Sequence, residues 1–386
     1  MTVSGWRLSR ATVIFLPLFI VACGDSPDAD ERLLGIALTL PGEPPAGSQL
    51  ASFAGVVEQA HELGSQVVEI NIDWGSIQTG AGTFRDPQGQ LAEANALQGG
   101  NRSVFLNITP YQTTYDARPA YLKALDWDDP SVALEYRNVI EFVLDEMPAI
   151  EGKVAHIMIG NEVEFASDEQ WQAYADFLVA ASEQVKSLYT TRHGGQTVTT
   201  SVKLALGVSE SASAPWAAAL WSLVDWVNVT YYPLHGTFQM KDPMEVATDL
   251  KRFLSWLDQQ ANLGANKLVL ISELGYATSD TIAAATTTDG RQNQARFVQE
   301  VFRFWDAYAD RIPSITFVWL ADLSDTQVQG MLDNYGLTSP PLDQTTVDHL
   351  FAYFRTLGLF DSYGEPKPGA IQLSAESCAR GWTACP

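Results

Sequence analysis

Two glutamates in this chain close apolar runs. In Ala155-His-Ile-Met-Ile-Gly-Asn-Glu162, the residues Ile157, Met158 and Ile159 have strand character and stop at Gly160-Asn161-Glu162. In Lys267-Leu-Val-Leu-Ile-Ser-Glu273 a second apolar run delivers Glu273 in the same way. A carboxylate at the end of an apolar strand must be solvated, paired or used. One such glutamate alone reads most simply as the start of a solvated loop. Two of the same design imply two carboxyls facing each other across one pocket, with Glu164, two residues past Glu162, as the rival for the first role.

Other candidate strand ends add compatible groups. Glu69, Asn71 and Asp73 share one face by the period of two, followed by Trp74; further on stand Asn107-Ile-Thr-Pro-Tyr111, Glu210, Tyr231-Tyr232-Pro-Leu-His235 and Trp319-Leu-Ala-Asp322. Carboxylates, amides and aromatic rings, without a cysteine, a lysine pair or a histidine cluster, are the makings of a sugar site. Cleaving a glycosidic bond needs a protonated carboxyl for the leaving oxygen and an ionised one at the anomeric carbon. Asp73, Trp74 and Tyr111 are candidate substrate contacts, the two rings either lining a groove or packing beneath loops. Glu210 and Asp322 read as solvated or substrate-touching.

The elements that must position these groups follow from periodicity. Strand-like runs occur at 33–40, 66–73, 103–109, 154–162, 203–209, 224–231, 267–273 and 315–320. Amphipathic stretches fall between them, at 50–63, from Asp129-Pro130 onward, at 171–188 behind Ser167-Asp-Glu-Gln170, at 244–260 and at 292–309. Strands alternating with helices signal an α/β fold with parallel strands, and eight such units predict a single (β/α)8 TIM barrel over residues 33–365. A doubly wound sheet fits less well, because the first strand runs into Pro41-Gly-Glu-Pro-Pro-Ala-Gly47 and not into a glycine-rich phosphate turn. In a barrel of this kind the residues just past each strand form the catalytic face.

On that frame, Asn161-Glu162 ends the fourth strand, Glu273 in Ile271-Ser-Glu-Leu-Gly275 ends the seventh, Tyr232 follows the sixth and Trp319 sits at the eighth. Together they resemble the pattern of the retaining glycoside hydrolases of clan A, a resemblance that covers residues 33 to 360. It implies Glu162 as general acid/base, Glu273 as nucleophile, Asn161 as partner of the sugar 2-hydroxyl, Tyr232 bonded to Glu273 and Trp319 as the floor of the subsite. The implied reaction is double displacement on a neutral β-linked poly- or oligosaccharide, without cofactor or metal. For that division of labour the Glu162 carboxyl must lie above its ordinary range, and hydroxyls from Ser272 or Tyr232 must favour ionised Glu273. The chain departs from the pattern at strand two, where many clan members carry an arginine; here the stretch reads Asn71-Ile-Asp73-Trp74 and the next arginine is Arg85. A glycan-binding barrel without turnover and a transglycosylase are the alternatives.

Composition narrows the partners. A net charge of -23 excludes a nucleic-acid surface and disfavours a polyanionic substrate, whereas an aromatic content of 11%, with 11 Trp, suits stacking on sugar rings. Arg7 and Arg10 precede the apolar run from Ala11 to Ala22, which is too short to span a bilayer and suits a signal peptide over residues 1–23. It ends in Ile20-Val-Ala-Cys23, which resembles a bacterial lipobox and implies lipidation of Cys23, attachment to a membrane and residence in the bacterial cell envelope. Gly24 favours the outer membrane. Residues 24–32 read as a flexible tether, and 366–386 as a tail in which Cys378 and Cys385 can close a disulfide in an oxidising compartment. The cysteine spacing and five scattered histidines indicate no metal site. The sequence leaves the oligomeric state open.

Overall fold

The computed structural model describes residues 32–385, apart from 88, 97–102, 114, 265–266, 285–288 and 338–341. The expected signal segment, the lipidation site Cys23 and residues 24–31 lie outside the described residues.

Eight parallel strands form the barrel: β1 (Leu33–Ile36), β2 (Val68–Asp73), β3 (Val104–Thr109), β4 (Val154–Met158), β5 (Thr199–Ala205), β6 (Trp226–Tyr231), β7 (Val269–Leu274) and β8 (Ser314–Phe317). Each pairs with its sequence neighbour, β8 pairs with β1, and a bridge between Gly35 and Val67 closes the ring from β1 to β2. Each expected strand is present, with altered ends. The fourth stops at Met158 and not at Glu162, and the fifth begins at Thr199, four residues before Lys203.

Outside the ring lie α1 (Phe53–Glu62), α2 (Gln90–Ala96), α3 (Pro130–Glu146), α4 (Asp168–Arg192), α5 (Ala214–Ser222), α6 (Val246–Asp258), α7 (Gly290–Ala307) and α8 (Pro368–Ala379). Their starts follow the signals in the sequence. Asp129 accepts from Ser131 N ahead of Pro130, and Ser167 accepts from Gln170 N ahead of α4. Within the expected tail, residues 368–379 form a helix packed on the barrel. Ala370, Leu373 and Ser377, at helical spacing, are buried, and the Ser377 hydroxyl donates to Leu63 O at 2.8 Å. The Cys378–Cys385 disulfide ties the last turn of α8 to the residues after it. Arg32, expected in the tether, also belongs to the fold: it is buried, pairs with Asp306 at 2.8 Å and lies over the Trp305 ring. Between β8 and α8 two further helices, Asp325–Asn334 and Gln344–Arg355, sit at the barrel mouth.

The period of two sorts side chains between core and barrel interior. Val68, Ile70 and Ile72 of β2 join the main apolar core beneath the helices, while Glu69, Asn71 and Asp73 alternate with them. A separate small apolar cluster is formed by Val67, Phe105, Met158 and Leu270. The next layer is polar and hydrogen-bonded, with Asn228 donating to Ser201 Oγ at 3.0 Å and Ser272 donating to Asn228 Oδ1 at 2.6 Å. Satisfied buried dipoles of this sort cost little and fix side-chain positions, so the interior supports the residues at its mouth.

Candidate active site

Glu162 is presented by a tight turn at the end of β4. Gly160 has φ +102, and a Cβ there would lie 2.4 Å from the Tyr174 hydroxyl, which donates to Ile159 O. Glu162 itself has φ 46, a left-handed conformation that costs a side-chain-bearing residue about 1 to 2 kcal/mol. The turn is held from the side by the short hairpin after β3: Asn161 N donates to Tyr111 O at 2.9 Å and Thr113 N donates to Asn161 O at 2.8 Å. The carboxyl then receives two hydroxyls, Thr230 on Oε1 at 2.7 Å and Thr113 on Oε2 at 3.2 Å. Burial, and after it the negative charge of Glu273, pushes the Glu162 carboxyl above its ordinary range.

Glu273 owes its position to an irregularity in β7. The partner of Val229 is Ile271 while that of Thr230 is Glu273, so Ser272 is an extra residue in the strand. Ser272 turns to Asn228, and the expected hydroxyl from Ser272 to Glu273 is not formed. Tyr232 does donate to Glu273 Oε2, at 2.7 Å. The other oxygen, Oε1, accepts from Lys203 Nζ at 2.9 Å. Lys203 is fully buried and also donates to Glu69 Oε1 at 3.0 Å. The cation that strand two lacks thus comes from β5. Burial alone would lower the Lys203 ammonium, but Glu273 and Glu69 outweigh it and hold it above its usual value.

The remaining expected residues divide. Asp73 stands on the mouth side of β2 and accepts from the Tyr115 hydroxyl at 2.7 Å, and burial pushes its carboxyl up. Trp319 follows a cis peptide bond from Val318; its half-buried ring stacks on Phe354 with centroids 6.2 Å apart. Asn161 is buried beside Glu162. Trp74 offers no face to a ligand: at 0% exposure it packs edge-on to Tyr136, and its indole N–H donates to Gln78 Oε1. Its placement at a substrate groove is therefore corrected to core packing, because the turn after Asp73 carries the ring beneath the loops. Tyr111 donates to Glu164 O at 2.9 Å and, with Trp127, Phe165 and Glu164, lines a cleft of about 880 Å³ next to the Thr113 side of the mouth. Glu164 is exposed in that cleft. Glu210 pairs with Arg252 on the surface, and Asp322 is buried against Lys367 at 2.7 Å, away from solvent.

Several groups at the mouth were not singled out by sequence. Thr113 and Thr230 bond Glu162, and Lys203 bonds Glu273. Tyr353, from the helix before α8, stands edge-on to Tyr232 at 5.8 Å, and Tyr335 accepts from Gln112 Nε2 at 3.0 Å. Burial holds both phenols above their usual range. The alternation Ser201-Val-Lys203-Leu carried one usable signal, since a lysine flanked by apolar outward-facing residues must point inward.

No protein-family model matches the chain, and no curated protein sequence matches it. Among solved structures it is similar to a GH5_18 protein from Bifidobacterium longum subsp. longum, with a TM-score of 0.60 and 15% identity over 92% of this chain and 81% of that one. A form of the Bifidobacterium protein in complex with Manb1-4GlcNAc aligns with a TM-score of 0.59 and 13% identity, over 90% of this chain and 78% of that one. A GH5_18 protein from Streptomyces cattleya in complex with GlcNAc gives 0.58 at 13% identity, over 93% of this chain and 82% of that one. The chain therefore has the (β/α)8 fold that these glycoside hydrolases share.

Proposed function

We propose that this protein is a retaining glycoside hydrolase acting on a neutral β-linked oligo- or polysaccharide, with Glu162 as acid/base and Glu273 as nucleophile. The observation that carries this reading is the unequal dressing of the two carboxyls. Glu273 is held by an ammonium and a phenol, while the half-buried Glu162 receives only hydroxyls, lies near the charge of Glu273 and is pushed above its ordinary range by desolvation. Environments that push two carboxyls apart assign the acid and the base.

In the first step Glu273 Oε forms a bond to the anomeric carbon as the glycosidic bond breaks, and the Glu162 proton passes to the leaving oxygen. In the second, Glu162 takes a proton from water, the water oxygen bonds to the anomeric carbon, and Glu273 departs as carboxylate. In this reading Asn161 bonds the sugar 2-hydroxyl, Trp319 faces the ring and Asp73 takes a further hydroxyl. The ligands of the structurally similar proteins, Manb1-4GlcNAc and GlcNAc, favour a β-mannosyl or N-acetylglucosamine-containing glycan as substrate. Lipidation of Cys23 would tether this activity to the cell envelope; a Cys23→Ser protein that still fractionates with membranes would remove that part of the proposal.

The test is a panel of aryl β-glycosides (mannoside, glucoside, galactoside, N-acetylglucosaminide) and Manb1-4GlcNAc, incubated with the wild type and with Glu273→Ala. Cleavage by the wild type, with the anomeric configuration of the first product retained by NMR and lost activity in Glu273→Ala, supports the assignment. Binding without cleavage by the wild type would make the barrel a glycan receptor instead.

A further inference from the structure

Lys203 and Glu69 form a buried ion pair that the two-carboxylate mechanism does not use. Lys203 and Glu69 are both 0% exposed. A buried salt bridge of this kind seldom adds stability over apolar packing, because both ions must give up their hydration. Glu69 is an expensive choice on its own account: Oε1 accepts from both Asn71 and Lys203, while Oε2 is buried with no hydrogen-bond partner. Stability alone gives no reason for it.

The geometry does. Lys203 Nζ sits between two carboxylates at 2.9 and 3.0 Å, and one of them, Glu273, is the proposed nucleophile. When Glu273 becomes a glycosyl ester it loses its charge. Without Glu69 the ammonium would then be buried and unpaired at the centre of the barrel, with nothing to offset its lost hydration. We propose that Lys203 is a positioning residue that orients the Glu273 carboxyl and balances its charge, and that Glu69 is its standing counter-ion, which takes over the ammonium each time Glu273 is esterified.

The surroundings agree. The groups facing Glu273 are Lys203 from β5, Glu69 from β2, Glu162 after β4, Tyr232 after β6, and Tyr335 and Tyr353 from the segment after β8. Among these Lys203 is the cation. Burial raises the Glu69 carboxyl against the pull of Lys203, and the charge of Glu273 raises it further. Esterification removes that last contribution, so Glu69 becomes the better partner at the moment it is needed.

This inference rests on the role proposed for Glu273, and its test is separable from it. Glu273 is titrated by carbon-13 NMR in protein labelled at glutamate carboxyls, assigned with Glu273→Gln, and needs no substrate. Lys203→Met alone leaves Glu69 and Glu273 buried together and can fail to fold; the double variant Lys203→Met/Glu69→Gln removes both charges and leaves no unpaired ion. In the double variant the Glu273 midpoint should rise, and Lys203→Arg should restore it; a midpoint equal to the wild type would overturn the role of Lys203. Glu69→Gln should lose at least tenfold in kcat/KM on whichever aryl glycoside the wild type cleaves, and wild-type turnover by Glu69→Gln would overturn the counter-ion role. If the wild type cleaves none of the glycosides, the hydrolase reading fails, and the titration still decides whether Lys203 governs Glu273.

Discussion

Thr230 ties the two carboxyls together: its hydroxyl donates to Glu162 Oε1 at 2.7 Å, while its backbone stands in register with Glu273 across β6 and β7. A hydroxyl donated to a carboxylate favours the ionised form, so it works against the desolvation that raises the Glu162 carboxyl. Thr230→Val keeps the shape and removes the donor. The Glu162 carboxyl should rise further, and the alkaline limb of the kcat/KM profile should move to higher pH with the acid limb in place. An alkaline limb that stays fixed or moves down would show that Glu162 is not the group titrating there.

Tyr232 makes the complementary contact with Glu273 at 2.7 Å, and its ring is braced edge-on by Tyr353. Hydrogen bonds to charged groups contribute about 1.5 to 3 kcal/mol, or roughly 10- to 150-fold in rate if the bond acts in the transition state. Tyr232→Phe should therefore lower kcat by roughly 10- to 100-fold and leave KM within about threefold. A change confined to KM would mean that the phenol acts on substrate binding and not through Glu273.

The frame was legible because a barrel strand with polar interior positions still shows an apolar face. Val68, Ile70 and Ile72 mark β2 even though Glu69, Asn71 and Asp73 lie between them. Glu162 and Glu273 were legible because each follows an apolar run. What the sequence hid was mostly long-range. Lys203 reaches Glu69 across 134 residues, and Gln112 reaches Tyr335 across 223, distances over which no local pattern speaks. Placing the start of the fifth strand at Lys203 also discarded the alternation that would have turned its side chain inward. Ser272 was misjudged for a local reason: one extra residue in β7 lets two consecutive side chains serve the barrel interior, which strict alternation forbids. Trp74 shows the opposite failure, an aromatic beside a site carboxylate that a single helical turn removes from the site.

Lys367 and Asp322 fasten the segment before α8 to the end of β8. The ammonium donates to Asp322 Oδ1 at 2.7 Å and to Thr278 Oγ1 and Thr356 O at 3.1 Å, and Asp322 also accepts from Gly358 N. Burial raises the Asp322 carboxyl to about 6, so the pair is held by its hydrogen bonds as much as by charge. Lys367→Met should destabilise the fold by about 3 to 5 kcal/mol, since it strands Asp322 in the interior. Lys367→Met/Asp322→Leu should recover much of that loss. Denaturant unfolding of the four proteins of the cycle gives the coupling directly, and additive losses would mean that the pair is not coupled.

His156 adds acid sensitivity to the fold through one buried ring. It is 0% exposed, its ring nitrogens contact the hydroxyls of Thr199 and Ser201 at 2.7 Å, and it stacks on Trp226 at 4.7 Å. Burial lowers its pKa from 6.5 to about 3, so the folded protein keeps the ring neutral where the unfolded chain already binds a proton. Between those values the unfolded state carries more protons, and stability must fall as pH falls. The contribution is intact above about pH 6.5 and is lost progressively toward pH 3, at about 1.4 kcal/mol per pH unit at most. His156→Asn retains hydrogen-bonding capacity and cannot be protonated in this range. It should be less stable than the wild type at pH 8, where the lost stacking dominates, and the gap should narrow or reverse by pH 4.5 in urea unfolding. Parallel pH dependences of the two proteins would assign the acid sensitivity to other groups.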